Sequence, residues 1–181
     1  VVSVQMRGSG CSGGAFDLFG WPTTYDGYDA IETVAAQDWV EGKVGMGGIS
    51  FSGISQLFSA GTNPPHLASV SPMSVTDDIY TATGYPGGIV NKGFALSCIT
   101  ERADDAKPAP EGGQPWAKAL VAAGDQHCID NQKMRLQTQD VLGLIKKNPY
   151  RTPSLFDRRA AGAWVKNIKV PTFFIGQYHD E

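Results

Sequence analysis

The sequence predicts an α/β fold: a parallel sheet with flanking helices, and a helical insertion before the last strand. Three observations carry this. Apolar, β-branched runs at residues 1–6, 44–49, 67–73 and 169–176 read as buried parallel strands. Helical patterns separate the earlier runs by short connections, which is the βαβ arrangement. From Ser74 to about Trp164 the alternation stops, and helical patterns and Pro/Gly-rich loops replace it. The expected organisation is a first core segment over 1–74, a helical cap over 75–164 and a returning core strand over 165–181.

The first run, residues 1–6, leads into Arg7-Gly8-Ser9-Gly10-Cys11-Ser12-Gly13-Gly14. This contains G-x-G-x-x-G at Gly8, Gly10 and Gly13, so a dinucleotide site for an oxidoreductase has to be weighed. That fingerprint needs a helix starting within the motif. Phe16-Asp17-Leu18-Phe19-Gly20-Trp21-Pro22 follows instead and reads as an irregular aromatic loop. The favoured reading is a flexible turn over the top of the sheet.

A helix is expected over about 25–38, capped by Thr24 or Asp26, with Tyr28, Ile31, Val34 and Ala35 on its apolar face. Then comes Val44-Gly45-Met46-Gly47-Gly48-Ile49, a short strand, followed by Ser50 and a helix carrying Ile54, Leu57 and Phe58. Gly61 and Pro64 stop that helix. A serine between strand and helix takes a strained backbone and needs small neighbours. Gly48, Ser52 and Gly53 meet that need. This is the logic of a nucleophile elbow, with Ser52 in place of the second glycine. The elbow lifts the Ser50 hydroxyl clear of the sheet. It also sets the unpartnered first amides of the helix beside it, Phe51 N–H foremost, where an oxyanion would form.

The next strand is 67–73. His66 lies at its start, away from the carboxyl end, and reads as structural. In the insertion, helices are expected at 89–102, 116–123 and 131–144. His127 and Cys128 fall there and also read as structural. The last strand, 169–176, is followed by Gln177-Tyr178-His179-Asp180-Glu181. A carboxylate just past a parallel strand, downstream of a serine elbow, is placed to orient a catalytic imidazole.

Bulk properties narrow the classes. The chain has 181 residues, 41% hydrophobic and 18% charged, enough for a sizeable core. Its net charge of −3 gives no footprint for nucleic acid or an anionic membrane. No apolar run is long enough to span a bilayer. Cys11, Cys98 and Cys128 form no close pair, so free thiols in a reducing, cytoplasmic setting are the default, with a Cys98–Cys128 bond left open. No ligand spacing suggests a metal. The sequence opens inside an apparent strand and closes without finishing an element. It is expected to be a piece of a longer protein, which leaves secretion open.

Several of these segments together resemble the X-prolyl dipeptidyl-peptidase and cocaine-esterase (CocE/NonD) family of α/β-hydrolases. They are Arg7-Gly8-Ser9-Gly10, Tyr28-Asp29-Ala30, residues 39–53, Ser71-Pro72-Met73, Tyr85-Pro86-Gly87-Gly88, and Val170-Pro171-Thr172 with Tyr178-His179-Asp180. The resemblance implies an α/β-hydrolase core, incomplete in this chain, with a helical cap and a Ser-Asp-His triad. It implies Ser50 as nucleophile, Phe51 N–H as oxyanion donor and Asp180 as the acid, with no metal or cofactor. The substrate would be a small molecule or short peptide, with Tyr80, Tyr85 and Trp116 as candidates to line its pocket. It also implies that the catalytic histidine follows Glu181, that a second oxyanion donor, a tyrosine, precedes Val1, and that a C-terminal β-sandwich lies further on. His179 is adjacent to Asp180, so the two side chains diverge and cannot both serve Ser50. A non-catalytic relative that uses the cap for binding is the remaining alternative. Oligomeric state is not legible.

The 181 residues alone are therefore expected to be essentially inactive. Turnover of an activated ester at an ordinary enzymatic rate, abolished by Ser50→Ala, would contradict this.

Overall fold

The structure, a computed structural model, describes residues 1–137 and 139–178. The chain forms two compact units: Val1–Leu18 with Asn91–Tyr150, and Phe19–Val90 with Arg151–Glu181. Residues 1–18 group with the middle of the chain, and 75–90 and 151–164 group with the sheet.

In the sheet unit, helix α1 spans Trp21–Ala35, strand β1 Val44–Ile49, helix α2 Phe51–Gly61 and strand β2 Leu67–Met73. Helix α1 begins four residues before its expected start and ends three before its expected stop. Pro22, read as a loop residue, occupies its first turn, where a missing N–H costs nothing. Gly20 is the cap, without a side-chain bond, and Thr24 is buried, with its Oγ1 donating to the Gly20 carbonyl at 3.2 Å.

β1 and β2 pair in parallel, with Met46 opposite Val70 and Ile49 opposite Met73. Residues 170–175 run parallel along the other edge of β2 through bridges at Val70–Thr172 and Met73–Ile175. The Val70 N–H donates to Pro171 O at 3.1 Å, and Phe173 N–H donates to Val70 O at 3.0 Å. The expected returning strand is thus beside β2, reduced to two bridges. Val70 is fully buried where the three segments meet. Ile31, Ala60, Leu67 and Val70 form the core, with Val44, Met46, Ile168 and Val170 packed against it.

Residues 1–6 are not a strand. They belong to the other unit, where Met6 packs against a core of Phe16, Ile99, Ala106 and Val141. Among the described residues no neighbouring backbone offers residues 1–6 a ladder. Four helices build this unit: α3 Phe94–Asp105, α4 Pro115–Ala122, α5 Gln126–Asn131 and α6 Val141–Lys147. Helix α3 lies later than the expected 89–102. The helix expected over 131–144 is broken into α5, a 3-10 stretch at Gln132–Gln137, and α6. Asp140 causes the restart: its carboxylate accepts the Gly143 N–H at 2.8 Å and caps α6 instead of continuing a helix.

Nor is the glycine-rich segment a free turn. Cys11 and Cys128 form a disulfide across 117 residues. Asn131 Nδ2 donates to Cys11 O at 2.9 Å, and Arg135 Nη2 donates to Gly10 O at 2.7 Å and Ser12 O at 2.9 Å. Gly10 lies so close to the Trp116 ring that any β-carbon would overlap it. The expectation of three free thiols is corrected: Cys98 alone keeps its thiol, and the Cys98–Cys128 pairing is excluded. The partner of Cys128 lies far along the chain and meets it only through the fold. No helix among the described residues is long and apolar enough to cross a membrane.

Closing so long a loop constrains the unfolded chain. Reducing the Cys11–Cys128 bond is expected to lower the unfolding free energy by about 2–4 kcal/mol. Urea midpoints with and without reductant measure this, and equal midpoints would contradict it.

Candidate active site

Ser50 is the single residue between β1 and α2. Its φ of 58° and ψ of −124° lie where residues with a β-carbon are rarely found. Bonds on both sides impose that conformation. The Ser50 N–H donates to Met73 O at 3.0 Å, as part of the sheet. The Ser50 carbonyl accepts from Gly53 N–H at 2.9 Å and Ile54 N–H at 2.8 Å, as the first turn of the helix. One residue therefore completes the sheet and starts the helix, and the strain, about 1–3 kcal/mol, is held by its surroundings.

The turn leaves no room. A β-carbon on Gly53 would stand 2.5 Å from Met73 O and 3.0 Å from Gly48 O. A β-carbon on Gly48 would stand 2.8 Å from the Ser52 β-carbon. Ser52 is tolerated in place of glycine because its hydroxyl folds back to donate to Ile49 O at 2.9 Å. Phe19 locks the helix in place. Its ring stacks on Phe51 at 5.0 Å and on Phe58 at 5.2 Å. Those two positions are two turns apart on one helix face, roughly 10 Å, which is the space one ring fills.

The Ser50 side chain is exposed. Among the described residues, neither its hydroxyl nor the Phe51 N–H has a hydrogen-bond partner. An acceptor placed above Ser50 would meet the open amide and the positive end of an 11-residue helix. A carbonyl attacked by the hydroxyl there would develop its negative charge against that amide.

The carboxyl ends of all three parallel segments meet at this edge of the sheet. Ser74, just past β2, has φ 47° and donates its N–H to Ile175 O at 3.0 Å. Its hydroxyl donates to Gln177 Oε1 at 2.6 Å. Sequence reading missed both residues, because neither belongs to a motif. Ser74 just past one expected strand, and Gln177 just past another, were the available signals.

Asp180 and His179 lie outside the described residues. Tyr80 is buried, stacked on Tyr85 and tilted against Phe156, each at 4.8 Å, while Tyr85 is half-buried. Trp116 belongs to the helical unit, where it packs against Gly10. Asp78 was also missed. Its carboxylate accepts the Tyr80 N–H at 2.8 Å and the Arg151 Nε–H at 2.7 Å, and Arg151 reaches Asp157 at 2.6 Å. The bond to Asp78, then that to Asp157, holds the Arg151 guanidinium above its ordinary pKa. His66 lies at the opposite end of β2, with Nδ1 2.6 Å from Glu32 Oε2. That hydrogen bond holds the Glu32 carboxyl below its ordinary value. His127 is exposed on α5 in the other unit. Among the described residues no cluster could hold a metal ion.

A serine elbow at the carboxyl edge of a parallel sheet, with helices flanking it, is the core of an α/β-hydrolase fold. The family model for X-Pro dipeptidyl-peptidase (S15 family) matches residues 1–181, and the chain belongs to that family of hydrolases. A CocE/NonD family hydrolase from Staphylococcus aureus superposes with a TM-score of 0.68 over 92% of this chain and 25% of its own, at 23% identity. A Rhodococcus cocaine esterase is 33% identical over 67 residues, 36% of this chain and 12% of the esterase. A Mycobacterium bovis protein, provisionally named a serine esterase, is 32% identical over 90 residues, 49% of this chain and 14% of that protein. The matched parts of the chain thus span about one-seventh of the length of these curated relatives or less.

If backbone strain sits at Ser50, removing its side chain relieves it. Ser50→Gly is expected to raise stability by about 1 kcal/mol despite the greater freedom of an unfolded glycine. Gly53→Ala is expected to lower it by about 1–3 kcal/mol through overlap with Met73 O. Urea unfolding reads both, and a Ser50→Gly midpoint below that of the unaltered protein would contradict the assignment of strain.

Proposed function

We propose that the protein is a serine hydrolase that cleaves an ester or amide bond through an acyl-serine intermediate, with Ser50 as the nucleophile. One observation carries this reading: an exposed serine held at φ 58° between a strand and the open amides of a helix. The Ser50 hydroxyl oxygen adds to the substrate carbonyl and its proton passes to an imidazole. The tetrahedral oxyanion faces the Phe51 N–H. Collapse expels the alcohol or amine, which takes the proton back from the imidazolium. Water then repeats the sequence on the acyl-serine, releasing the acid and restoring the hydroxyl.

Asp180 is the residue proposed to orient and stabilise that imidazole. The histidine is proposed to come from outside these 181 residues, as is a second oxyanion donor. His66 stands at the wrong end of β2 and is engaged by Glu32. The substrate is a small molecule or short peptide that presents its carbonyl at the carboxyl edge of the sheet. Membership of the S15 family and the names of the relatives support both ester and peptide bonds as targets.

A fluorophosphonate probe tests the reading on the full-length protein that carries this segment. Labelling is expected on Ser50 alone. Ser50→Ala is expected to abolish it and to lower kcat/KM on an activated ester by at least about a thousandfold. Undiminished turnover in Ser50→Ala would overturn the proposal.

A further inference from the structure

We infer that the protein matures outside the reducing cytosol, as the client of a disulfide-donating protein that oxidises Cys11 and Cys128. The fold itself specifies this pairing. Cys128 is 1% exposed, and its N–H is held by the Asp125 carboxylate at 2.9 Å. Asn131, Gln132 and Arg135 follow it by three, four and seven residues, so all four share one face of the helical segment. That face receives the loop around Cys11. Asn131 and Arg135 donate to the carbonyls of Gly10, Cys11 and Ser12. Gln132 Nε2 lies 3.4 Å from Cys128 Sγ and 3.5 Å from Gly10 O. Three consecutive carbonyls centred on Cys11 are thus engaged by the residues that follow Cys128.

The loop has little else to hold it. Apart from Cys11, residues 8–14 are all glycine or serine, so they bury no apolar side chain. The Trp116 ring already fills the space beside Gly10. With the bond absent, the two sulfurs must stand further apart. Cys128 is enclosed, so the loop is the part that gives way. Its retreat strips Arg135. That residue is 3% exposed, and among the described residues its Nε and Nη1 have no hydrogen-bond partner. Gly10 O and Ser12 O are the acceptors its guanidinium keeps. Burial alone pushes the Arg135 guanidinium below its ordinary pKa. A buried charge that loses its partners is strongly destabilising. The reduced chain therefore carries a penalty in this unit, and cytosolic thiols would keep it reduced. In the oxidation, the two cysteines give up two protons and two electrons to the disulfide of the donor. The sulfurs join, and the donor leaves as a dithiol. Cys98, between them in sequence, keeps its thiol.

The test starts from cells that make the full-length protein, with thiols alkylated at lysis and the fractions compared. The protein is expected outside the cytosol, with Cys98 alkylated and Cys11 and Cys128 not. Recovery from the cytosol in either redox state, or alkylation of Cys11 and Cys128 in exported protein, would overturn the inference. The bond in the folded protein is expected to survive millimolar reduced glutathione until urea unfolds the chain. Opening in the folded state, with closure again in oxidised glutathione, would make it a reversible switch and overturn the inference too. Cys11→Ala, Cys128→Ala and the double variant are expected to lower recovery of exported protein several-fold and equally, while Cys98→Ala leaves it unchanged. Undiminished recovery of the double variant would overturn the inference. None of these readouts passes through Ser50. Ser50→Ala is expected to be oxidised and recovered like the unaltered protein, so failure of the proposed function and failure of this inference are read separately.

Discussion

The sheet unit is arranged around a backbone conformation that Ser50 would not adopt alone. Strain of about 1–3 kcal/mol persists only where the surroundings over-determine it. Burying one large apolar side chain stabilises by about 1.5–3 kcal/mol. Leu57, Phe58, Leu67 and Val70 are all at most 3% exposed, so the core beneath the turn outweighs the strain several times over. Packing between α2 and the sheet holds the turn closed, and the Phe19 ring between Phe51 and Phe58 fixes the helix against sliding along its axis.

Two buried polar residues make the same unit specific as well as stable. Gln56 is 1% exposed, yet both ends of its amide are used. It donates to Ser52 O at 2.8 Å and accepts the Ser71 N–H at 3.0 Å, tying α2 to β2. A buried amide left half-satisfied would cost about 1–3 kcal/mol, so slippage of the helix along the strand is penalised. Asp78 does the same for the segment after β2. It ties the turn at Tyr80 to Arg151, and Gly162 N–H adds a bond to Asp77 O at 2.9 Å. These ties, with Tyr80 against Phe156, are why residues 75–90 and 151–164 belong with the sheet.

The parts legible in the sequence are those whose causes are local. The elbow needs a strand, a serine, small neighbours and a helix within about eighteen consecutive residues, and each leaves its own mark. β2 carries the apolar run that names it. The parts that were not legible depend on residues far apart. Residues 1–6 have the composition of a buried strand, but residues 1–5 are exposed and only Met6 is half-buried, against the helical core; composition does not say whether a partner strand lies beside a run. Cys11 and Cys128 have no spacing that announces a bond. Pro22 and Asp140 were ambiguous for a different reason: each marks a helix start as readily as a break. Gln177 becomes informative only once Ser74 is seen beside it.

The two glycine-rich segments have the same kind of composition, and only one of them opens a helix. At residues 8–14 three backbone amides are held locally: Gly8 N–H by Gly13 O, Ser9 N–H by Met6 O and Ser12 N–H by Ser9 O. The carbonyls of Gly10, Cys11 and Ser12 point outward and are taken by Asn131 and Arg135. No helix begins there. The dinucleotide fingerprint sets its pyrophosphate on a helix N-terminus, and this loop lacks one. At residues 48–53 a helix does begin, its first N–H is open, and a hydroxyl stands beside it. Charge developed on a reacting oxygen meets a helix dipole at the second segment and not at the first, although the literal G-x-G-x-x-G lies in the first.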